Sequence, residues 1–355
     1  MTTTKSFPKA LATSMLILIG AACQLTAATF TVTNTNDTGP GSLRQAVLDS
    51  NAAAGSDTIL FDSSFGTART ITLASPITIN PATGDSLAIS GTGTNLLTVS
   101  GNNAVQIFFV STGDTATISD LTLTLARNGN GGAAIDNRGS LTVTNVAFTS
   151  NFGNNGGGAI FSDFNTTINI TNSSFSQNSS NGSGGAISNN GNLTVTNSTF
   201  VSNTGAFGGA IYHGANGTVM ISGCAFTNNT SNGGGATGNG GGAIINVGRG
   251  TITISNSTFT GNSVQTTGVG PSGGAIRNRF GTMDITNATF LNNTAANGGG
   301  AIDNGEVLRI SGSTFTGNST SGPNAQQSGQ GSGGAISNFG QLSIANTVIT
   351  GNSAA

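Results

Sequence analysis

The feature that most constrains the fold of this chain is a phrase that occurs eight times between residue 131 and residue 355. Each copy reads Gly-Gly-Ala-Ile or a close variant, and about fourteen residues later Phe-x-x-Asn. In one copy the motif residues are Gly184, Gly185, Ala186, Ile187, Phe200 and Asn203. The motif isoleucines are Ile135, Ile160, Ile187, Ile211, Ile244, Ile276, Ile302 and Ile336. Self-similarity at this period predicts a stacked repeat architecture.

The residues between the two motifs alternate between apolar and polar, as in Leu193-Thr-Val195-Thr. This period of two is typical of a half-buried strand. Strand-sized pieces around Ala-Ile and around the phenylalanine flank it, separated by Gly and Asn turn signals. Three short strands per repeat and no helical period predict an all-β fold, a right-handed parallel β-helix of roughly ten coils, since parallel crossovers are right-handed.

Two columns of polar residues have a structural explanation. The Asn of Phe-x-x-Asn and the residue two places after each motif Ile would both lie at bends. There an inward Asn can satisfy turn backbone groups and hydrogen-bond its counterpart one coil away. His213, the only histidine, falls in the second column among asparagines. We therefore interpret His213 as a member of a polar ladder rather than as a catalytic base.

The remaining chain divides into segments of different character. Residues 1–28 resemble a secretory signal, with Lys5 and Lys9, an apolar run and a small-residue cleavage site, although cleavage before Cys23 in a lipoprotein is an alternative. Residues 29–70 are predicted to form an N-terminal cap, with a strand at 29–33 and a helix at 42–51 that begins with a Ser42–Gln45 capping box. Residues 71–130 are predicted to form irregular coils, and 131–355 the eight repeats. No C-terminal cap is predicted, and the uncapped edge is a candidate surface for self-association.

Composition limits the function classes. Charged residues make up 6% of the chain, against roughly 25% in an average soluble protein. Beyond residue 28 there is no lysine, and eight arginines face twelve acids. A mildly acidic, lysine-free body argues against binding nucleic acid or anionic membranes. No cofactor site and no metal site is predicted, because no His or Cys cluster and no calcium loop is present.

The coil carries one cluster of charged residues in sequence: Arg277, Arg279, Asp284, Asp303 and Arg309. Asp303 is predicted to lie one coil from Arg277, and Asp284 one coil from Arg309, both in outward columns. Opposite charges at that spacing predict surface salt bridges, which contribute little stability. We interpret the cluster as a solvated patch or a sugar-contacting surface. The alternative is an acid–base site of Arg277, Arg279 and Asp303, so no catalytic residue is assigned.

Two further surfaces are candidates for binding. The surplus residues of the longer repeats fall at one corner, at 230–240, 263–272 and 319–332, and insertions confined to one side of a solenoid are often its binding loops. Outward threonines such as Thr142, Thr194 and Thr253 form a hydroxyl-rich strip that is compatible with ice binding, although exposed strands favour threonine in any case.

The paired GGAI and FxxN motifs resemble the repeats of the chlamydial polymorphic outer-membrane proteins and of related bacterial β-helix proteins. The resemblance covers residues 131–355, and the segment 29–62 resembles the N-terminal cap found on such proteins. It implies a secreted or surface-exposed β-helix with an adhesive role. Together with the one-sided insertions and the sparse titratable groups, this predicts a non-enzymatic protein with a cell-surface or polysaccharide ligand. The family's outer-membrane members also carry an autotransporter barrel, and no segment of the printed sequence is predicted to form one. The alternatives are a lyase or hydrolase of the pectin-cleaving type and a structural surface-layer or matrix component.

Overall fold

The computed structural model describes residues 1–3, 26–82, 84–233, 240–265, 270–321 and 332–354. They form a right-handed parallel β-solenoid of about ten turns, which confirms the fold predicted from the repeats. Equivalent residues of successive turns pair in register, for example Ile160 with Ile187 and Phe175 with Phe200. The chain therefore stacks chemically similar residues in columns along its length.

One side of the solenoid, here called the isoleucine face, is a ladder of three-residue strands that begin at the motif isoleucines. These isoleucines point into the interior, and those from Ile135 to Ile302 are fully buried. The strands are Ile77–Ile79, Phe108–Val110, Ile135–Asn137, Ile160–Ser162, Ile187–Asn189, Ile211–His213, Ile244–Asn246, Ile276–Asn278, Ile302–Asn304 and Ile336–Asn338.

The alternating segments form a second side, the threonine face, where strands such as Thr167–Thr171, Asn192–Thr196 and Thr251–Ser255 bury alternate apolar residues and present threonines outward. Its strands are Thr29–Val32, Asp57–Phe61, Ser86–Ser90, Thr115–Thr124, Ser140–Thr149, Thr167–Thr171, Asn192–Thr196, Val219–Ser222, Thr251–Ser255, Thr282–Thr286, Val307–Ser311 and Gln341–Ala345.

The third side, the phenylalanine face, carries the aromatic of each Phe-x-x-Asn motif. The long strands Thr115–Thr124 and Ser140–Thr149 run through both the threonine and phenylalanine faces. The other strands of this face are Arg69–Thr72, Leu97–Ser100, Ser174–Ser176, Thr199–Val201, Ala225–Thr227, Thr258–Thr260, Thr289–Leu291, Thr314–Thr316 and Val348–Thr350.

A series of two-residue strands, which the sequence analysis did not predict, follows the Phe-x-x-Asn motifs and forms a corner ladder. Two residues are too short to show a period. Its strands are Arg127–Asn128, Phe152–Gly153, Ser179–Ser180, Thr204–Gly205, Thr230–Ser231, Ser263–Val264, Thr294–Ala295, Ser319–Thr320 and Ser353–Ala354. Another pair, Ser272–Gly273 and Gly298–Gly299, lies just before the isoleucine strands.

The interior is filled by the predicted columns. Seven phenylalanines from Phe148 to Phe315 stack with ring centroids 4.5–4.8 Å apart and planes within 5° of parallel. All seven are fully buried, and burying one such side chain stabilises a fold by about 1.5–3 kcal/mol. The spacing matches the distance between neighbouring strands, so the rings add contacts without distorting the ladder.

The asparagines of Phe-x-x-Asn form the predicted inward ladder. Each side chain from Asn151 to Asn318 donates from Nδ2 to Oδ1 of the next asparagine at 2.8–3.0 Å. In Asn178, Nδ2 also donates to the carbonyl of Phe148, and Oδ1 accepts from the Asn151 backbone N–H. A buried amide is thus fully hydrogen-bonded in every turn.

The N-terminal helix, Leu43–Ala52, lies against the first turns. Ser42 caps it as predicted by accepting from the Gln45 N–H, and Arg44 donates to the carbonyls of Ser75 and Pro76. The apolar residues Leu43, Ala46, Val47 and Leu48 would form one stripe on this helix, but only the first three are buried, and Leu48 is 54% exposed. A helix advances 100° per residue, so Leu48 points away from its buried neighbour Val47.

The Gly-Gly pair of the motif is explained by two close backbone contacts. A Cβ on the first glycine, such as Gly241, would overlap the carbonyl oxygen of Ile244 in the same turn. A Cβ on the second, such as Gly209, would overlap the carbonyl oxygen of Gly242 in the next turn. Backbone atoms cannot move aside without breaking the ladder, so neither position accepts a side chain.

We expect Gly209→Ala to lower the free energy of unfolding by about 1–3 kcal/mol or more, since 1–3 kcal/mol is typical of overpacking in a core and here the added Cβ meets a backbone atom. Urea unfolding followed by circular dichroism measures the change. Gly129→Ala is the matched control, because nothing lies within 4 Å of the added Cβ, and it should stay within about 0.5 kcal/mol of the parent. Equal effects of the two substitutions would contradict this explanation of the motif.

Candidate functional site

The predicted charged cluster is not one surface. Asp284 and Arg309 pair on the threonine face, with Arg309 Nη1 3.1 Å from Asp284 Oδ1. Their side chains are 39% and 58% exposed, so the predicted surface salt bridge is confirmed. Such a pair contributes little to stability, and both charges are largely neutralised by each other.

The prediction of a second surface bridge is wrong. Arg277 Nη1 lies 3.3 Å from Asp303 Oδ2 on the isoleucine face, but their side chains are only 7% and 1% exposed. The Gly-Gly segments that precede the isoleucine strands, here called the Gly-Gly corner, lie beside this pair, and a Cβ on Gly298 would come within 3.1 Å of Asp303 Oδ1. Burial raises the pKa of the Asp303 carboxyl and lowers the pKa of Arg277, against the opposing attraction between the two groups. The pair is held inside the protein, away from any ligand in solvent.

Arg279 lies at a third place, on the corner between the isoleucine and threonine faces. Its side chain is exposed, and its guanidinium carbon is 5.0 Å from the centroid of the Phe280 ring. The guanidinium carbon of Arg249, from the preceding turn, is 5.6 Å from the same centroid. Arg279 is therefore the one member of the predicted cluster that is exposed and has no acidic partner among the described residues.

The same corner contains a groove of about 490 Å³, here called the amide groove. It spans three successive turns, and Phe164 stands at one end with its side chain 64% exposed. The lining residues are Phe164, Asn165, Asn190, Gly191, Asn192, Gly214, Ala215, Asn216 and Gly217. None of them titrates, so the wall offers an aromatic ring, amides and backbone groups.

Hydrogen bonds to the next turn fix two of the amides. Asn192 Oδ1 accepts from the Thr218 N–H at 2.9 Å, and Asn216 Oδ1 accepts from the Arg249 N–H at 3.0 Å. Their Nδ2 groups have no hydrogen-bond partner among the described residues. The floor is bare backbone, because a Cβ on Gly191 would overlap Thr166 O and a Cβ on Gly217 would overlap Gly191 O. The groove therefore presents fixed polar groups above a flat base.

His213 lies beneath this corner and is fully buried, as the polar-ladder interpretation predicted. Its Nε2 donates to Gly217 O at 3.1 Å, and its Nδ1 accepts from Asn189 Nδ2 at 3.0 Å. Asn189 cannot be reversed, since its Nδ2 also donates to Gly191 O and its Oδ1 accepts from the Gly191 N–H. Only the neutral Nε2–H tautomer fits these partners. Burial lowers the pKa of His213.

This arrangement predicts a pH-dependent stability. The folded-state pKa of His213 is lower than that of a free imidazole, about 6.5, so its contribution is complete above that pH and is lost as the pH falls towards the folded pKa. The loss should be about 1.4 kcal/mol for each pH unit between the two pKa values. Urea unfolding at pH 7.5 and pH 5 should show a larger loss for the parent than for His213→Asn, which restores the asparagine of the column. Parallel pH profiles would contradict the assignment.

Sequence reasoning missed the groove because its residues come from three repeats and belong to no motif. One signal was available: Phe164 is an aromatic residue in a turn where neighbouring repeats have small or polar residues. The predicted binding loops at 230–240, 263–272 and 319–332 lie partly outside the described residues, which omit 234–239, 266–269 and 322–331. The predicted signal at 1–28 lies largely outside them too.

Metal-binding clusters and membrane-spanning helices are both absent from the described residues. Nowhere in this part of the chain do three or more His, Cys, Asp or Glu side chains come together in a way that could hold a metal ion. The helices described in the structure are all too short or too polar to cross a membrane.

Comparison with known proteins agrees with this architecture. A sequence model of the right-handed β-helix region matches residues 88–280, more than half of the chain, so the protein belongs to that family. A model of the Chlamydia polymorphic membrane protein repeat matches residues 287–305. Together they confirm the resemblance drawn from the GGAI and FxxN motifs. No curated protein matches the sequence.

Two solved structures are similar to this chain. One is a mannuronic acid-specific polysaccharide family 6 lyase from the human gut microbiota, with 12% identity and a TM-score of 0.36, over 89% of this chain and 82% of the lyase. The other is the A-module of the mannuronan C-5 epimerase AlgE4 from Azotobacter vinelandii. It has 14% identity and a TM-score of 0.38, over 92% of this chain and 99% of the module.

Proposed function

We propose that this protein is a secreted or surface-exposed β-helix protein that binds glycans without chemically altering them, in an adhesin-like role. The observation that carries the proposal is the amide groove, which combines an exposed aromatic ring with fixed amides and no titratable side chain. The polymorphic membrane protein repeat supports a location at the cell surface or outer membrane.

The chemistry of the groove suits a sugar. Sugar hydroxyls both donate and accept hydrogen bonds, and an asparagine amide offers two donors and an acceptor. The NH2 groups of Asn192 and Asn216 are oriented by the hydrogen bonds of their oxygens, so little conformational entropy is lost when they bind a ligand. The exposed ring of Phe164 can pack against the apolar face of a pyranose.

The enzymatic alternative requires a general acid or base within reach of the ligand. The carboxyl nearest in sequence to the groove wall is Asp163, which precedes Phe164. This carboxyl is paired with an arginine, since Arg138 Nη1 lies 2.7 Å from Asp163 Oδ2. Arg277 and Asp303, the pair considered from sequence, are buried beside the Gly-Gly corner. These arrangements favour binding over turnover.

We expect the purified chain to bind members of a glycan array and a polysaccharide panel and to release no product from them. Phe164→Ala should weaken binding about tenfold, which is 1.4 kcal/mol, since it removes the only aromatic ring in the groove wall. Asn190→Ala should weaken it by a smaller factor.

Met220→Ala is the matched control, because Met220 is 55% exposed on the threonine face, away from the groove. If Phe164→Ala and Asn190→Ala bind as tightly as Met220→Ala and the parent, the binding site does not lie in the groove. Unsaturated or reducing sugar released from the panel would overturn the proposal in favour of a lyase or hydrolase. Failure to bind any glycan would leave the structural surface-layer role as the better explanation.

A further inference from the structure

The corner that forms the amide groove continues without a break to Arg249 and Arg279. The Arg249 N–H donates to the groove residue Asn216, as described above, and a Cβ on Gly250 would overlap the carbonyl oxygen of Gly217. The next turn repeats the contact, with Gly281 directly above the Gly250 carbonyl. The glycine floor therefore extends from the groove across two more turns.

Arg249 and Arg279 form what we call the arginine pair, with their guanidinium groups beside the ring of Phe280. Both side chains are exposed. Among the described residues, no carboxylate oxygen lies within 4 Å of a guanidinium nitrogen of Arg249 or Arg279. Most other described arginines are neutralised by acids, namely Arg44, Arg138, Arg277 and Arg309. Two adjacent cations without acidic partners are unusual in a chain with so few charges.

The shared ring restrains both cations. Cation–π contacts at exposed sites contribute about 0.5–1 kcal/mol each, enough to favour one orientation of a guanidinium over free rotation. At the next turn Glu306 ends this positive stretch, and its carboxylate accepts from the Gly281 N–H. The edge thus offers neutral hydrogen-bonding groups over three turns, then two cations, and then an acid.

We propose that the ligand of this protein is an acidic glycan, which lies along the corner with its hydroxyls in the amide groove and its carboxylates on Arg249 and Arg279. This proposal rests on the proposed glycan-binding function and specifies its substrate class. Successive turns are about 4.8 Å apart, so the path from Phe164 to Arg279 is roughly 19 Å long. That length accommodates a short stretch of a linear polysaccharide.

An acidic glycan suits this edge better than other polyanions. A nucleic acid or an anionic membrane is bound through an extended basic surface, whereas this chain has a net charge of −2. An arginine guanidinium group forms two parallel hydrogen bonds with a carboxylate, so two arginines suffice to recognise individual carboxylates without an extended basic surface.

The test compares one polymer with and without its charges: polygalacturonate and its fully methyl-esterified form. The parent protein should bind the acid form at least tenfold more tightly at low salt. The double variant Arg249→Ala/Arg279→Ala should lose that preference while retaining its affinity for the neutral form. Raising the salt concentration should weaken the parent more steeply than the double variant.

Arg69→Ala/Arg127→Ala is the matched control, since it removes the same net charge from arginines that form no ion pair with the described acids. Equal loss in the two double variants would overturn the arginine pair as a site and indicate a general charge effect, as would equal binding of dextran sulfate and polygalacturonate. If the neutral polymer binds through the groove and the acid form binds no better, glycan binding stands and this inference fails. If neither polymer nor any array glycan binds, the proposed function itself fails.

Discussion

The buried asparagine of each Phe-x-x-Asn motif from Asn178 to Asn318 makes four hydrogen bonds, and the stacking of the turns depends on this interaction. Two of the bonds join its amide to the amides above and below, and two join it to backbone groups at the bend, as Asn203 illustrates. Because an unpaired buried amide is costly, any shift of one turn against the next would break several bonds at once. The ladder therefore fixes register as well as spacing.

Fixed register has a consequence for function. Interior columns hold the same kind of residue in nearly every turn, since each position meets its own equivalent one strand spacing away. One asparagine column also admits Ser162 and His213, whereas the phenylalanine stack and the close contacts of the Gly-Gly pair leave their positions little freedom to vary. Variation is confined to outward positions and corners, and the amide groove and the arginine pair lie at one such corner. The binding chemistry that we propose is thus built on stacked turns of the solenoid.

Much of the fold could be predicted from the sequence, because strand alternation and stacking set the Ile, Phe and Asn columns directly. The burial of Arg277 and Asp303 could not be predicted, because strand alternation places both side chains outward. They are buried since the Gly-Gly corner, which alternation does not describe, lies beside them. The groove was equally inaccessible to motif analysis. Phe164 and Asn216 line the same groove through the stacking of turns, and neither belongs to the repeated phrase.

The most direct test of the account is a crystal structure of the full chain soaked with oligogalacturonate. The account predicts a saccharide chain along the corner, with a ring packed against Phe164 and carboxylates within hydrogen-bonding distance of Arg249 and Arg279. A saccharide bound instead on the threonine face, or one that engages Asp303 after movement of the Gly-Gly corner, would contradict it.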